Sequence, residues 1–291
     1  MVSANVNRLV AIGLAMALGG AMACATTDAS GKPVNYSMTA KQNYDKGLAE
    51  LKDEDWLEAV KYFAFVKQKF PFSKYAVLSE LALADTQFAR GGYAEAIDSY
   101  KSFERLHPTH EKVEDGYAAF KVTESYVRQM PEDWFIFPPA EEKDQSPTRD
   151  ALRELDEFLD KFPESPYRKE AQGFRRDVVQ RLVDHEVYVA RFYRDRGHPK
   201  AAMMRLEAVI RRFPGSGREP ELLIVLGETQ LRMGDPRRAR ETFERVVAEF
   251  GAAYQARRAE LYLQFIEQRY HGRYPDVPAS PTVEPSVSPN G

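Results

Sequence analysis

Cysteine occurs once in the 291 residues, at Cys24. A single cysteine excludes an internal disulfide. Runs of alternating Val and Ile are absent and glycine is scarce inside the periodic segments, which argues against a sheet. No glycine-rich phosphate loop and no serine in a nucleophile elbow is present. His185-Glu186 begins like a zinc-protease HExxH, but that motif requires histidine at 189, where Val189 stands. His107 and His110 flank Pro108, and two histidines without a third ligand make a weak metal site. These absences point away from an enzyme and from a bound cofactor or metal.

What the chain does contain is a repeat. In Lys69–Pro108, Leu78, Leu81, Ala82 and Ala84 to Phe88 follow the spacing of an amphipathic helix. Gly91-Gly92 interrupts it, since glycine takes left-handed dihedrals cheaply at a helix end. A second helix begins at Tyr93 with Ala96, Ile97, Tyr100 and Phe103 on one face, and Pro108 ends it. Counting back twelve, eight and one from Pro108 gives Ala96, Tyr100 and His107. The same offsets give Ala59, Phe63 and Phe70 before Pro71, and Ala151, Leu155 and Phe162 before Pro163. They give Ala202, Leu206 and Phe213 before Pro214, and Ala239, Phe243 and Phe250 before Gly251. The small residue lets two helices approach, and the bulky one four later fills the groove beside it. Gly91, Gly197 and Gly234 share the offset of seventeen. This pattern resembles the tetratricopeptide repeat, at 37 residues where undisturbed. It predicts an all-α solenoid of about five helical hairpins over residues 39–274, with a capping helix near Tyr254–Tyr270 carrying Leu261, Leu263, Phe265 and Ile266.

At the N-terminus, Arg8 precedes an apolar run from Leu9 to Ala23, about 15 residues, short for a membrane span and suited to a signal-peptide core. Residues 1–23 read as a signal peptide. Ala21-Met22-Ala23-Cys24 resembles a bacterial lipobox, with Cys24 as the lipidated first residue. Alanine stands at 21 where that motif usually has leucine, which leaves ordinary cleavage after Ala23 as the alternative. Residues 24–38 then read as a tether reaching roughly 20 Å. The first hairpin is predicted at Thr39–Asp53 and Asp55–Phe70, with Gly47 at a close approach and Trp56 at the turn. Val113–Gln129 reads as one helix, and Ser146 as an N-cap with Pro147 in the first turn. Tyr167 to Arg196 is one long helix or a kinked pair.

An insertion stretches the third repeat to 55 residues and carries Trp134, Phe135, Ile136 and Phe137 between acidic and proline-rich flanks. Two readings stand for it: a docking patch, or apolar residues folded back onto the core. Residues 275–291 are rich in proline and serine and predict a disordered tail. Formal charges divide unevenly. Residues 111–166 carry 7 positive and 15 negative side chains, and residues 167–274 carry 22 and 15. Export makes nucleic acid a poor explanation of the basic half, and solvated helix faces are the plain one.

Three segments sharpen the reading: Leu106-His107-Pro108-Thr109-His110, Asp144-Gln145-Ser146-Pro147-Thr148, and His185-Glu186-Val187-Tyr188-Val189-Ala190-Arg191-Phe192-Tyr193 followed by Gly197. In this order, behind an export signal and cysteine, they resemble the BamD (ComL/YfiO) family of outer-membrane assembly lipoproteins. The resemblance implies five repeats, a lipid anchor at Cys24 in the outer membrane, and a periplasmic location. It implies binding to the barrel protein BamA, in company with other Bam subunits, and an N-terminal half that receives unfolded outer-membrane β-barrel proteins. It matches Arg205 to the family's BamA-side arginine, with Arg191 and Tyr193 in the matched motif as further partner-binding candidates. Trp134, Phe135 and Phe137 depart from the family pattern and are candidates for accessory partners. A pilus pilotin or a Tol-associated coordinator is the alternative. A lytic enzyme on a helical superhelix would need a catalytic domain for which the repeats leave no room.

Replacing the only cysteine tests the anchor. Cys24→Ser is expected to abolish lipid labelling and move the protein to the soluble periplasmic fraction. Unchanged membrane association would show that lipid is not the principal anchor.

Overall fold

The computed structural model describes residues 39–130 and 140–274. Cys24, Trp134, Phe135 and Phe137, together with the signal, tether and tail segments, lie outside them. Among the described residues there are twelve α-helices, one short 3-10 turn and no strand. Four hairpins follow the repeat directly: α1 (Ala40–Lys52) with α2 (Trp56–Lys69), α3 (Lys74–Ala89) with α4 (Tyr93–Leu106), α8 (Arg168–Asp195) with α9 (Pro199–Arg212), and α10 (Glu219–Arg232) with α11 (Pro236–Glu249). The middle hairpin pairs α6 (Tyr117–Arg128) with α7 (Ser146–Lys161), after a single turn, α5 (Glu111–Glu114). The 3-10 turn is Ala140–Glu142, and α12 (Tyr254–Tyr270) closes the stack.

The repeat register is visible atom by atom. Ala59, Ala96, Ala151, Ala202 and Ala239 are fully buried, as are Phe63, Tyr100, Leu155, Leu206 and Phe243. In the facing helix, sixteen residues before the bulky position, stand Gly47, Ala84, Ala190 and Gly227. A Cβ built on Gly47 would lie 2.6 Å from the Phe63 ring, and one on Gly227 2.5 Å from the Phe243 ring. Phenylalanine therefore pairs with glycine in the first and last hairpins, while tyrosine and leucine pair with alanine in the second and fourth.

The ends of the second helices repeat as well. Phe70, His107, Phe162, Phe213 and Phe250 are the C-caps of α2, α4, α7, α9 and α11, with φ between -123° and -129°. Proline follows four of them and disfavours the helical region for the residue before it. At the turn between the paired helices, Gly91, Gly197 and Gly234 have φ of 83°, 82° and 74°. Glu54 occupies the same repeat position in the first hairpin at φ 62°, a side-chain-bearing residue where the others use glycine.

Two boundaries differ from the sequence reading. The predicted helix Val113–Gln129 is divided at Gly116, φ 82°, where a Cβ would meet the Phe162 ring and Ser165 Oγ at 3.1 Å. The α7–α8 connection presses on the backbone there, and Ser165 Oγ donates to the Asp115 carbonyl at 2.7 Å. Ser146 is the first residue of α7 rather than its cap, which is Gln145, and its N–H and hydroxyl both donate to Asp144 Oδ1. The stretch Tyr167–Arg196 holds a single helix of 28 residues, α8, with Tyr167 and Arg196 as its caps. In α12, Ile266 is buried, whereas Leu261 and Phe265 lie on the face that no further hairpin covers.

First helices touch along most of the stack (α1 with α3, α6 with α8, α8 with α10, α10 with the capping α12), α3 and α6 meet through the Tyr117–Asp85 side chains, and second helices make no comparable contact. The first helices therefore line the inner side of the stack. One core runs from Phe120 to Ile266, with smaller clusters around Tyr100 and Phe63.

The Gly227–Phe243 contact supplies a test. Gly227→Ala forces a methyl into a ring that has no free side, and is expected to lower stability by about 1–3 kcal/mol in denaturant unfolding. An unchanged midpoint would contradict the close approach of α10 and α11.

Candidate functional site

Two surface depressions differ in charge and in the helices that build them. The first, about 360 Å³, lies between the C-terminal ends of α1 and α3 and the first turns of α6. Leu51, Trp56 and Phe88 supply apolar wall, Lys52 and Lys121 supply cations, and Asp85 lies at its floor beside Tyr100 and Tyr117. Sequence dictates this locally. Asp85 is placed by the inward face of α3 between Ala84 and Thr86, both fully buried. Tyr100 is the bulky repeat residue of α4, and Tyr117 is brought in by the break at Gly116.

Both tyrosine hydroxyls donate to the same carboxylate oxygen, Asp85 Oδ1, at 2.6 Å and 2.8 Å. One carboxylate thus joins α3, α4 and α6 across the second and third hairpins. Burial pushes the Asp85 carboxyl above the ordinary aspartate range, and the two tyrosine bonds and Lys121 pull it only partly back. Burial and the adjacent carboxylate hold Tyr100 and Tyr117 well above the ordinary phenol range. Lys121 turns to Glu124 at 2.8 Å and stands 4.2 Å over the Phe88 ring.

The second depression, about 490 Å³, lies between α8 and α9, with Arg149 of α7 at its edge. Leu182, Met204, Val209 and Phe213 line it, and Met204 is two-thirds exposed. Arg205 stands at its rim, donates to Glu186 Oε2 at 2.9 Å, and places its guanidinium 5.7 Å over the Tyr193 ring. Next to it the 3-10 turn that follows the insertion is fastened to α8: His185 Nδ1 lies 2.6 Å from the Glu141 carbonyl, and Tyr188 donates to the Glu142 carboxylate.

Of the residues selected from sequence, Arg205 and Tyr193 are brought together, and Arg191 is not with them. Arg191 sits on the inner side of α8 and donates to Glu221 at 3.1 Å. There it joins an ionic ladder over α8, α10 and α12. Arg218 pairs with Asp184 and Glu221, both at 2.7 Å, and Glu228 receives Arg194, Arg258 and the Tyr262 hydroxyl. The inner face of the basic half is thus largely neutralised by pairs that cross from helix to helix, whereas the pairs on α1 and α6, Lys41–Asp45 and Lys121–Glu124–Arg128, stay within one helix. Sequence reading missed Asp85, Tyr117 and Lys121; a lone aspartate inside an apolar helical run was their one signal. His107 and His110 serve local structure: His107 Nε2 is 2.6 Å from Glu80 Oε2, and His110 Nδ1 accepts from the Lys112 N–H as the cap of α5.

Stacked hairpins with a small–large interlock, an inner face built from first helices and a terminal cap define a tetratricopeptide-repeat scaffold, and the repeat model itself matches residues 224–275. The model of the YfiO family, described as outer membrane lipoprotein, matches residues 36–247, and the chain belongs to this family, that of BamD. Outer membrane protein assembly factor BamD of Neisseria meningitidis serogroup A is 25% identical over 240 residues, 80% of this chain and 87% of that one. The protein of the same name from Caulobacter vibrioides is 29% identical over 191 residues, 66% of this chain and 59% of its own. Among solved structures, the TPR2AB domain of yeast Sti1 aligns at 11% identity and a TM-score of 0.42, over 80% of this chain and 85% of that one. No helix among the described residues is long and apolar enough to cross a membrane.

Asp85 gives a pH prediction. Its carboxyl binds protons more tightly folded than unfolded, so between the ordinary aspartate value and its raised folded value the native state holds more protons. Stability then falls as pH rises through that window and is regained as pH falls back through it. Asp85→Asn, which can still accept both tyrosine bonds, is expected to flatten this part of the stability–pH curve measured by denaturant unfolding. An identical curve for both proteins would remove Asp85 as its source.

Proposed function

We propose that this protein is an assembly factor for outer-membrane β-barrel proteins: a non-enzymatic scaffold, anchored by lipid at Cys24 and facing the periplasm. In this reading the basic C-terminal half holds BamA at the Arg205–Tyr193 cleft. The inner face of the N-terminal half receives unfolded barrel substrates. The observation that carries it is the family match over residues 36–247, joined by relatives named as outer membrane protein assembly factor BamD across 80% of the chain. The surface supports the division of labour. The Arg205 cleft combines a cation, a stacked ring and exposed apolar wall, the composition of an interface anchor. The groove at Asp85 opens on the side where repeat scaffolds take extended peptides.

A mild-detergent pull-down of the native protein tests the whole reading: a large β-barrel protein with periplasmic repeats is expected to come down with it. Arg205→Glu tests the cleft. The substitution also sets a new carboxylate against Glu186, so it is compared with the charge-swapped pair Glu186→Arg and Arg205→Glu, which restores the internal ion pair. Both proteins are expected to lose most of the barrel partner, because reversing the exposed charge turns attraction into repulsion. Both keep binding of a barrel-derived C-terminal peptide. Wild-type co-purification by the swapped pair would show that Arg205 serves only Glu186, and loss of the peptide with the partner retained would reverse the two halves.

A further inference from the structure

The groove at Asp85 holds an acidic group without a basic partner. Both hydrogen bonds to Asp85 end on Oδ1, which leaves Oδ2 without a donor among the described residues. Lys121 is the base whose charge most bears on Asp85, yet its ammonium is engaged with Glu124 at 2.8 Å and the Phe88 ring at 4.2 Å. Lys52 is exposed at the mouth, with Glu54 beside it. Tyr44, on α1, is the remaining titratable group that senses this carboxylate, and it is neutral at physiological pH because burial and Asp85 raise it further.

A desolvated carboxylate is stabilised by a cation brought to it. The walls suit one. Trp56, Phe88 and Tyr117 present aromatic rings, and Lys121 already demonstrates that an ammonium rests on this surface. We propose that this groove takes the cationic side chain, lysine or arginine, of an extended polypeptide, its charge meeting Asp85 and its alkyl stem lying against Trp56 and Phe88. The proposal rests on the reading of this inner face as the substrate side, and it adds what that face selects: a basic residue in the incoming strand. A metal ion is a poorer occupant, since no group of three or more His, Cys, Asp or Glu side chains able to hold one occurs among the described residues.

The experiment uses the full-length protein in mild detergent and fluorescently labelled peptides from the C-terminal strand of an outer-membrane barrel. Lysine, norleucine or tyrosine is placed at each position in turn. At one position lysine is expected to bind about tenfold more tightly than norleucine, which keeps the stem and removes the charge. Asp85→Asn is expected to erase that advantage, so that it binds the lysine and norleucine peptides alike, with an unaltered helical circular-dichroism spectrum and a cooperative melt as the check on folding. Equal binding of all peptides at every position overturns the cation site and leaves the substrate reading standing. Absence of binding by any peptide overturns both. A tyrosine optimum assigns the groove to a neutral donor, and a lysine advantage that survives Asp85→Asn moves recognition to another carboxylate; either result overturns the proposal.

Discussion

A glycine or alanine set against one buried bulky side chain fixes the distance between the two helices of each regular hairpin, and the rest of the stack depends on that distance. Where Phe63 and Phe243 fill the groove, the opposing residue has no Cβ; where Tyr100 and Leu206 do, alanine is tolerated. The two positions act as one volume, so neither can enlarge alone in an interior packed like a crystal. With the pair distance set, first helices come close enough to touch along the inner side.

The two halves use their inner faces differently. From α8 to α12, arginines and carboxylates alternate across helices, and Glu228 alone gathers Arg194, Arg258 and Tyr262. Such a ladder spends its hydrogen-bonding capacity internally and leaves little for a ligand. From α1 to α6 the corresponding surface is aromatic, with a carboxylate held by tyrosines rather than by bases. The excess positive charge of the C-terminal half is displayed elsewhere, as at the rim of the α8–α9 cleft, where Arg205 has one acidic partner and an exposed side.

The repeat was legible because its chemistry is local: a small residue and a bulky residue four later mark the second helix of all five hairpins, and a proline follows the C-cap in four of them, with Gly251 in the fifth. All ten interlock residues named from spacing are fully buried. Legibility failed where a distant element decides. Gly116 breaks a helix because Phe162 and Ser165, about fifty residues away, crowd its backbone, and no local periodicity records that. Ser146 stands one residue inside the helix that it was expected to cap, with Gln145 in the cap position. Arg191 and Tyr193, two apart on one helix, necessarily project to different sides, so a shared motif did not make a shared site. Asp85 escaped notice because its role exists only once Tyr100 and Tyr117 arrive from other helices.

The continuous helix α8 has a consequence for how the stack comes apart. A solenoid ordinarily unfolds as a series of loosely coupled units, each repeat leaning on its neighbours. Here a single hydrogen-bonded rod of 28 residues, about 42 Å long at the helical rise, packs on α7 in its own hairpin's predecessor and on α9 and α10 ahead of it. Because α8 packs on α6 and α7 of the third hairpin as well as on α9 of its own, detaching either hairpin uncovers it, and the two form one cooperative block. Amide exchange should be slowest along this central block and faster toward both ends. The groove at Asp85, which draws Tyr117 and Lys121 from α6, lies across the boundary of this block, while the Arg205 cleft lies wholly within it.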